Sequence, residues 1–212
     1  MSVFEQLGQC PIIPVIVIET RTQAVPMAEA LIAGGLEALE VTLRTPDALG
    51  AIEDIAKALP EAMVGAGTVS TAAQFDDVKN AGGRFAVSPC LTATLAAASQ
   101  RTALPWLPGA VTATEVQLAR EAGFVDLKFF PAGTSGGPGH LKSLSAVYPD
   151  VRFCPTGGVN LDNLAEYLGL PAVRAVGGSW LTPAKAVAAG DWASVTETAR
   201  AACSAAAAVA SS

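Results

Sequence analysis

Short apolar runs alternate along nearly the whole 212-residue chain with longer stretches in which apolar residues recur at helical spacing. Runs of this length, bounded by turn residues, are typical of buried strands, and the longer stretches are typical of amphipathic helices. The predicted strands are Ile12–Ile18, Leu36–Leu43, Ala62–Ala66, Phe85–Ser88, Leu104–Leu107, Phe124–Phe129, Val151–Cys154 and Val173–Val176. The predicted helices are Thr22–Ala33, Pro46–Leu59, Thr71–Ala81, Thr92–Gln100, Thr112–Ala122, Pro138–Val147, Leu161–Leu168 and Pro183–Ala188.

Capping residues support these helix boundaries. Several helices begin near Thr or Asp, as in "TPDAL" and "STAAQ", because these side chains accept hydrogen bonds from free helix N–H groups. Several end at a glycine: Gly34, Gly82, Gly123 and Gly169. Residues 2–9 are predicted to form a short helix before the first strand. The Ala-rich tail 204–212 is expected to fray at the end of a C-terminal helix.

The repeated order of strand then helix predicts an α/β fold, a (β/α)8 TIM barrel in which residues 1–212 form a single domain. A doubly wound open sheet is the alternative fold. The first predicted strand is not followed by the G-x-G-x-x-G turn that dinucleotide-binding members of that fold carry.

Composition narrows the function classes. The net charge is −6 without any basic block, which argues against nucleic acid or an anionic membrane as partner. The apolar run Pro11–Ile18 is too short to span a bilayer, and no basic residue precedes Arg21 as a signal peptide requires. The four cysteines form no Cys-x-x-Cys pair, so we expect them to be reduced in a cytoplasmic protein. A single histidine, His140, interpreted as a surface residue, disfavours a metal site, and no cofactor is expected.

Three predicted strands place polar side chains inside the barrel. Side chains alternate between the two faces of a strand, so apolar residues of "LEVTLR", "VDLKFFP" and "VRFCPTGG" face the helices. The inward residues are expected near the carboxyl ends of the strands, where barrel enzymes bind substrate. A structural alternative is that the charged members pair inside the barrel. The inward set is Glu40, Thr42, Arg44, Asp126, Lys128, Phe130, Arg152, Cys154 and Thr156.

Two glycine pairs indicate a phosphate site. "PTGGVNLDN" follows the seventh strand and "VGGSWLTP" the eighth, the loops in which barrels often bind phosphate. Glycine lets backbone N–H groups approach a ligand, a following helix start adds a positive dipole, and Ser179 adds a hydroxyl. "SGGPG" (Ser135–Gly139) is interpreted instead as a mobile loop over the site.

Lys128 lies within the apolar run "VDLKFFPA", and lysine is seldom buried without a partner. Burial lowers the pKa of a lysine and leaves free amine that attacks carbonyl carbons. The resulting Schiff base withdraws electrons without help from a metal. Such chemistry needs a proton carrier, for which Glu40 is the candidate, and Arg44 is suited to bind a substrate carboxylate. Phe130 is placed to shield the site from water.

The motifs "EVTLRT", "VGAGTV", "KFFPA", "RFCPTGG" and "GGSW" occur in an order that resembles the 2-keto-3-deoxy-6-phosphogluconate (KDPG) aldolase family over most of the chain. The resemblance implies a homotrimeric class I aldolase that releases pyruvate and glyceraldehyde 3-phosphate, with 4-hydroxy-2-oxoglutarate as a further substrate of some members. It implies that Lys128 forms the Schiff base and Glu40 moves protons. The implied substrate residues are Arg44, Thr68, Pro89, Phe130 and Thr156, with Gly157, Gly158, Gly178 and Ser179 for phosphate.

Two positions depart from the family pattern. Cys90 stands where the family tends to have glycine, and Gly133 where it tends to have glutamate, which leaves the fine substrate preference open. The rival hypotheses are an aldolase for the galactonate epimer, and a phosphosugar isomerase or non-catalytic binding barrel without a lysine nucleophile. A metal-dependent aldolase is disfavoured by the single histidine.

Overall fold

In the part of the chain that the structure describes, eight short strands run parallel to their neighbours at the centre of the protein. The computed structural model describes residues 3–6 and 10–210. The strands are β1 (Ile12–Ile16), β2 (Ala38–Thr42), β3 (Met63–Gly67), β4 (Ala86–Val87), β5 (Trp106–Leu107), β6 (Asp126–Phe129), β7 (Arg152–Pro155) and β8 (Val176–Gly178). All eight predicted strands are therefore present. The last one lies further along the chain than the predicted Val173–Val176.

Helices follow the strands in the predicted alternation. They are α1 (Ala24–Ala33), α2 (Ala48–Ala58), α3 (Ala72–Asn80), α4 (Ala93–Thr102), α5 (Ala113–Glu121), α6 (Gly137–Val147), α7 (Leu164–Leu168), α8 (Ala184–Ala189) and α9 (Trp192–Ala210). Threonine caps begin two of them as predicted: the Thr92 hydroxyl accepts from the N–H of Leu95, and that of Thr112 accepts from Glu115. Within the described residues, no helix is both long and apolar enough to cross a bilayer.

The strands form a curled six-stranded sheet, ordered β5-β4-β3-β2-β1-β8, and a separate ladder of β6 with β7. Isolated parallel bridges lie between the two: Gly109, just after β5, bridges Lys128 of β6, and Thr156, just after β7, bridges Gly177 of β8. Among the described residues, the eight strands thus do not form the continuous ladder of the expected (β/α)8 barrel. Pro108, directly after the short strand β5, explains part of this, because proline lacks the N–H that a ladder with β6 needs.

Two apolar clusters lie on the two faces of the curled sheet. The larger fills the space between strands and helices. The smaller draws one residue from most strands and also includes Val3, which is only 1% exposed. Residues Phe4–Gln6 form a 3-10 turn, which replaces part of the short helix predicted for residues 2–9; Ser2 and residues 7–9 lie outside the described residues. The N-terminal turn therefore helps to cover the interior cluster.

The C-terminal segment differs from the prediction in two ways. The Ala-rich tail expected to fray from residue 204 continues α9 through Ala210, and Ala206 is buried; Ser211 and Ser212 lie outside the described residues. Small residues permit this packing, because a Cβ on Gly34 would lie only 2.4 Å from the Cβ of Ala199. The helix also carries Cys203 to Cys10, and the two form a disulfide with a Cα–Cα distance of 5.5 Å.

The expectation that all four cysteines are reduced is therefore wrong for Cys10 and Cys203. These residues are separated by 193 positions in the sequence, so no local spacing motif could have indicated the pair. Their proximity results from the packing of α9 beside the start of β1. Cys90 and Cys154 are free thiols.

Candidate active site

Lys128 and Glu40 form a buried ion pair at the centre of the site. The Nζ of Lys128 lies 3.0 Å from the Oε1 of Glu40, and the two side chains are 7% and 3% exposed. They come from β6 and β2, on opposite sides of the strand order, and both point into the interior as the alternation of side chains predicted. Among the residues that the structure describes, the buried amine of Lys128 is thus in contact with the carboxylate of Glu40.

The pair opens into a small pocket of about 120 Å³. Thr42, predicted to face inward without a role, and Val15, which was not predicted, line it together with seven residues that the sequence assigned to the site: Glu40, Arg44, Thr68, Pro89, Lys128, Phe130 and Thr156. The structure therefore brings the predicted nucleophile, proton carrier and carboxylate-binding residue to one place. A larger cavity, of about 480 Å³, lies away from this pocket beside Trp106 and Arg152.

Asp126 and Arg152 do not belong to the site. They are the first residues of β6 and β7, at the amino ends of these strands, and not near the carboxyl ends as the sequence suggested. The guanidinium of Arg152 donates to Asp126 at 2.8 Å and lies 5.9 Å from the ring of Phe4. For these two charges the structural alternative is correct: they pair with each other below the site.

Arg44 is the cation at the mouth of the pocket. It is exposed, and its guanidinium has no hydrogen-bond or ion-pair partner within the described part of the chain. The segment that carries it is held by Thr42 and Thr45, whose hydroxyls donate to the carbonyls of Ile16 and Ile18 at 2.9 and 2.6 Å. A fixed backbone and a free guanidinium suit bidentate binding of a carboxylate.

Thr68 has an unusual backbone conformation at the edge of the pocket. Its φ is 59°, in the left-handed region that non-glycine residues seldom adopt. Such strain costs about 1–3 kcal/mol and tends to occur at functional sites. Its position directly after β3 places the hydroxyl among the residues that line the pocket.

Two glycines leave the space that two pocket side chains occupy. An ideal Cβ on Gly67 would lie 2.1 Å from the Oε1 of Glu40, and one on Gly177 would lie 2.3 Å from the Oγ1 of Thr156. Gly67 of β3 pairs with Thr42 of β2, so its backbone is fixed beside Glu40. Both glycines occur in quoted motifs, but only the register between strands shows which side chain each one accommodates.

Phe130 covers the lysine from the solvent side. Its ring centroid is 5.4 Å from the Nζ of Lys128, within cation–π range, and the residue is 38% exposed. A Cβ on Gly157 would approach this ring to 3.1 Å, so the loop after β7 packs closely against it. The aromatic wall and the glycine loop are therefore neighbours.

The four predicted phosphate residues lie next to the pocket on the loops after β7 and at the end of β8. Gly157 and Gly158 have φ values of 88° and 83°, and among the described residues their N–H groups donate to no protein acceptor. Ser179 is exposed and lines an adjoining cavity of about 440 Å³. The expected helix dipoles are not adjacent, because the short helices α7 and α8 begin only at Leu164 and Ala184.

Cys154 is a buried thiol beneath the ion pair. Its strand position pairs with Lys128, and its Sγ is 3.9 Å from the Oγ1 of Thr156. Burial raises the pKa of this thiol to about 12, so it stays neutral at physiological pH. Cys154 therefore packs beside Lys128 and Glu40 as a neutral side chain.

His140 is packed away from the pocket and does not line it. The Nε2 of His140 is 2.8 Å from the carbonyl oxygen of Val111, and the ring stacks on Phe129, so His140 is half-buried and packed rather than a free surface residue. Within residues 3–6 and 10–210, no group of three or more His, Cys, Asp or Glu side chains could hold a metal ion.

Comparison with known proteins identifies close relatives. The family model described as "KDPG and KHG aldolase" matches residues 3–198. The KHG/KDPG aldolase of Escherichia coli K12 is 48% identical over 90% of this chain and 89% of that protein. The 2-dehydro-3-deoxy-phosphogluconate aldolase of Pseudoalteromonas atlantica is 47% identical over 91% and 90% of the two chains.

A solved structure of a relative is also similar in fold. The KDPG aldolase of Legionella pneumophila, crystallised with pyruvate captured at low pH as a covalent carbinolamine intermediate, superposes with a TM-score of 0.89. It is 47% identical, and the alignment covers 92% of this chain and 94% of that one.

Proposed function

Because the chain belongs to the KDPG and KHG aldolase family, we propose that it is a class I aldolase that cleaves KDPG to pyruvate and D-glyceraldehyde 3-phosphate. The observation that carries the proposal is the buried pair of Lys128 and Glu40, 3.0 Å apart, in one pocket with Arg44. A nucleophile, a proton carrier and a carboxylate-binding cation are the three groups that Schiff-base chemistry on a 2-keto acid requires.

The arrangement assigns a sequence of steps. Arg44 binds the substrate carboxylate and directs the C2 carbonyl at Lys128. The amine adds to C2 to give a carbinolamine, which loses water with a proton supplied by Glu40 and becomes an iminium ion. Glu40, now a carboxylate, takes the proton from the C4 hydroxyl, and C4 leaves as the aldehyde carbon of D-glyceraldehyde 3-phosphate. The electron pair of the broken C3–C4 bond flows into the iminium to leave an enamine. Protonation of C3 and addition of water then release pyruvate and the free lysine.

The remaining residues position the substrate. Thr68 and Pro89 border the pyruvate half, and Phe130 excludes water from the imine. Thr156 faces the pocket from the end of β7 and is suited to bind a substrate hydroxyl or carboxylate. For the phosphate, the proposal uses the backbone N–H groups of the glycine loops and a hydroxyl. These are Gly157, Gly158, Gly178 and Ser179.

The assay for this proposal is release of pyruvate from a panel of KDPG, its galactonate epimer and 4-hydroxy-2-oxoglutarate. We expect the highest kcat/KM for KDPG. The Glu40→Gln variant should be slower by about 10²–10⁴-fold, the range for a general acid–base group. Glu61→Gln, at an exposed position before β3, is the matched control. A preference for the epimer would reassign the substrate, and no release from any of the three would favour an isomerase or a binding protein.

Assembly, architecture and location complete the proposal. We infer one domain over residues 1–212 with a closed (β/α)8 barrel, supported by the isolated bridges at Gly109–Lys128 and Thr156–Gly177. We also propose a homotrimer in the cytoplasm, which acts on a phosphorylated keto acid and has no nucleic-acid partner. Sedimentation equilibrium tests the trimer, and cell fractionation tests the location.

A further inference from the structure

A second cavity, of about 440 Å³, opens beside the reaction pocket, and Val15 lines both. It lies between the chain that follows β1 and the loop that joins β8 to α8, so it includes Ser179. The reaction pocket has a volume of only about 120 Å³. When the keto end of a phosphosugar acid reaches Lys128, the distal end of its chain therefore extends toward this cavity.

The cavity carries one uncompensated negative charge. Of the described residues that line it, Glu19 alone is charged, and the other polar ones, Gln23, Ser179 and Thr182, are neutral. Glu19 is exposed and has no ion-pair or hydrogen-bond partner in the part of the chain that the structure describes. Arg21, the nearest cation in the sequence, is already held by Asp54, to which it donates at 2.6 Å.

We infer that Glu19 is a specificity-determining residue, which weakens binding of substrates with an anionic distal end relative to those with a neutral, hydroxylated one. The inference rests on the proposed function. The carboxylate repels a phosphate or a second carboxylate, whereas it accepts hydrogen bonds from the hydroxyls of a sugar chain. Ser179 and the glycine N–H groups favour the phosphorylated substrate, and Glu19 reduces that preference.

The expected effect follows from charge and distance. Two unit charges 4 Å apart in water interact by an energy that corresponds to about a fivefold change in affinity. A phosphate carries more than one charge, and the exposure of Glu19 places it near this aqueous limit. Glu19→Gln should therefore raise the ratio of kcat/KM for KDPG to kcat/KM for unphosphorylated 2-keto-3-deoxygluconate by about fivefold. Glu19→Lys should raise it further, and about 0.5 M salt should reduce both gains.

The experiment measures this ratio for the parent, the two Glu19 variants and Glu61→Gln. Glu61 is a matched control, because it is exposed, carries the same charge and lies before the amino end of β3, away from the site. A ratio that rises for Glu19→Gln and Glu19→Lys but not for Glu61→Gln supports the inference. A ratio within twofold of the parent in both Glu19 variants overturns it, as does an equal gain for both substrates.

Exchange of the methyl protons of pyruvate separates this inference from the proposed function. Pyruvate has no distal group, so the Glu19 variants should exchange these protons at the rate of the parent. If the parent itself neither exchanges the protons nor cleaves KDPG, the proposed aldolase function fails. If the parent does both and the ratio does not respond to Glu19, only the role of Glu19 fails.

Discussion

The Gly67→Ala substitution tests whether the position of Glu40, and not only its presence, sets the rate. The new Cβ would lie 2.1 Å from the Oε1 of Glu40 and 2.7 Å from its Cγ, whereas ordinary contacts begin near 3.4 Å. The backbone of Gly67 pairs with Thr42 and cannot easily retreat. The carboxylate must therefore move by about 1 Å or more, which breaks the 3.0 Å contact with Lys128.

A displacement of about 1 Å at a reacting group can cost about 10²-fold in rate. We therefore expect kcat for pyruvate release from KDPG to fall by about 10²-fold in Gly67→Ala. Reduction with borohydride in the presence of pyruvate should still label the protein, because Lys128 remains in place. Overpacking should also lower the free energy of unfolding by about 1–3 kcal/mol, so the assay is run well below the melting temperature.

Gly139→Ala is the matched control for this prediction. Gly139 lies in α6 without a positive φ, and an added Cβ meets no atom within 4 Å. This variant should keep parental activity and gain about 0.4–1 kcal/mol of stability. A folded Gly67→Ala protein with parental kcat would refute the positioning of Glu40 by Gly67.

Three further predictions concern the cysteines and metal dependence. Iodoacetamide at pH 8 should label exposed Cys90 and spare Cys154, because burial raises the pKa of the Cys154 thiol to about 12. If mass spectrometry finds Cys154 labelled first in the folded protein, this burial is contradicted. Cys203→Ser should lower the free energy of unfolding by about 2–5 kcal/mol, because the disulfide joins residues 193 positions apart in the sequence. Reducing agent should destabilise the parent protein but not this variant. Prolonged chelation should leave cleavage unchanged, because the iminium accepts the electron pair whose negative charge a metal ion would otherwise stabilise. Activity that is lost on chelation and then restored by Zn²⁺ or Mg²⁺ would argue against the Schiff base.

Strand alternation was sufficient to predict much of the site. It placed Glu40 and Lys128 on the inward faces of their strands, and the structure joins them in one pocket. The same alternation also predicted Thr42, which lines the pocket but was not assigned a role. Alternation shows which face a side chain points to, but not how far along the strand the residue lies. Asp126 and Arg152 were therefore predicted near the carboxyl ends, although each is the first residue of its strand.

Features that depend on contacts between distant segments could not be predicted in this way. Val15 reaches the pocket because β1 pairs with β2 in a register that sets Val15 opposite Glu40. The fit of Gly67 against Glu40 and the approach of Cys203 to Cys10 likewise depend on register and helix packing. The "SGGPG" stretch, interpreted as a mobile loop, instead ends a 3-10 turn at Ser135 and begins α6 at Gly137, which is buried. Glycine composition alone does not distinguish a loop from a helix start packed against Tyr167.

Covalent capture of pyruvate shows directly whether Lys128 forms the Schiff base. The protein is incubated with pyruvate and borohydride, digested, and analysed by mass spectrometry, with Lys128→Ala and Lys142→Ala as the paired variants. Lys142 lies on α6 and is exposed, so it is a matched control for a lysine outside the pocket. We expect a reduced pyruvyl adduct on Lys128 in the parent and in Lys142→Ala, and none in Lys128→Ala. An adduct on another lysine, or none at all in a protein that cleaves KDPG, would contradict this expectation.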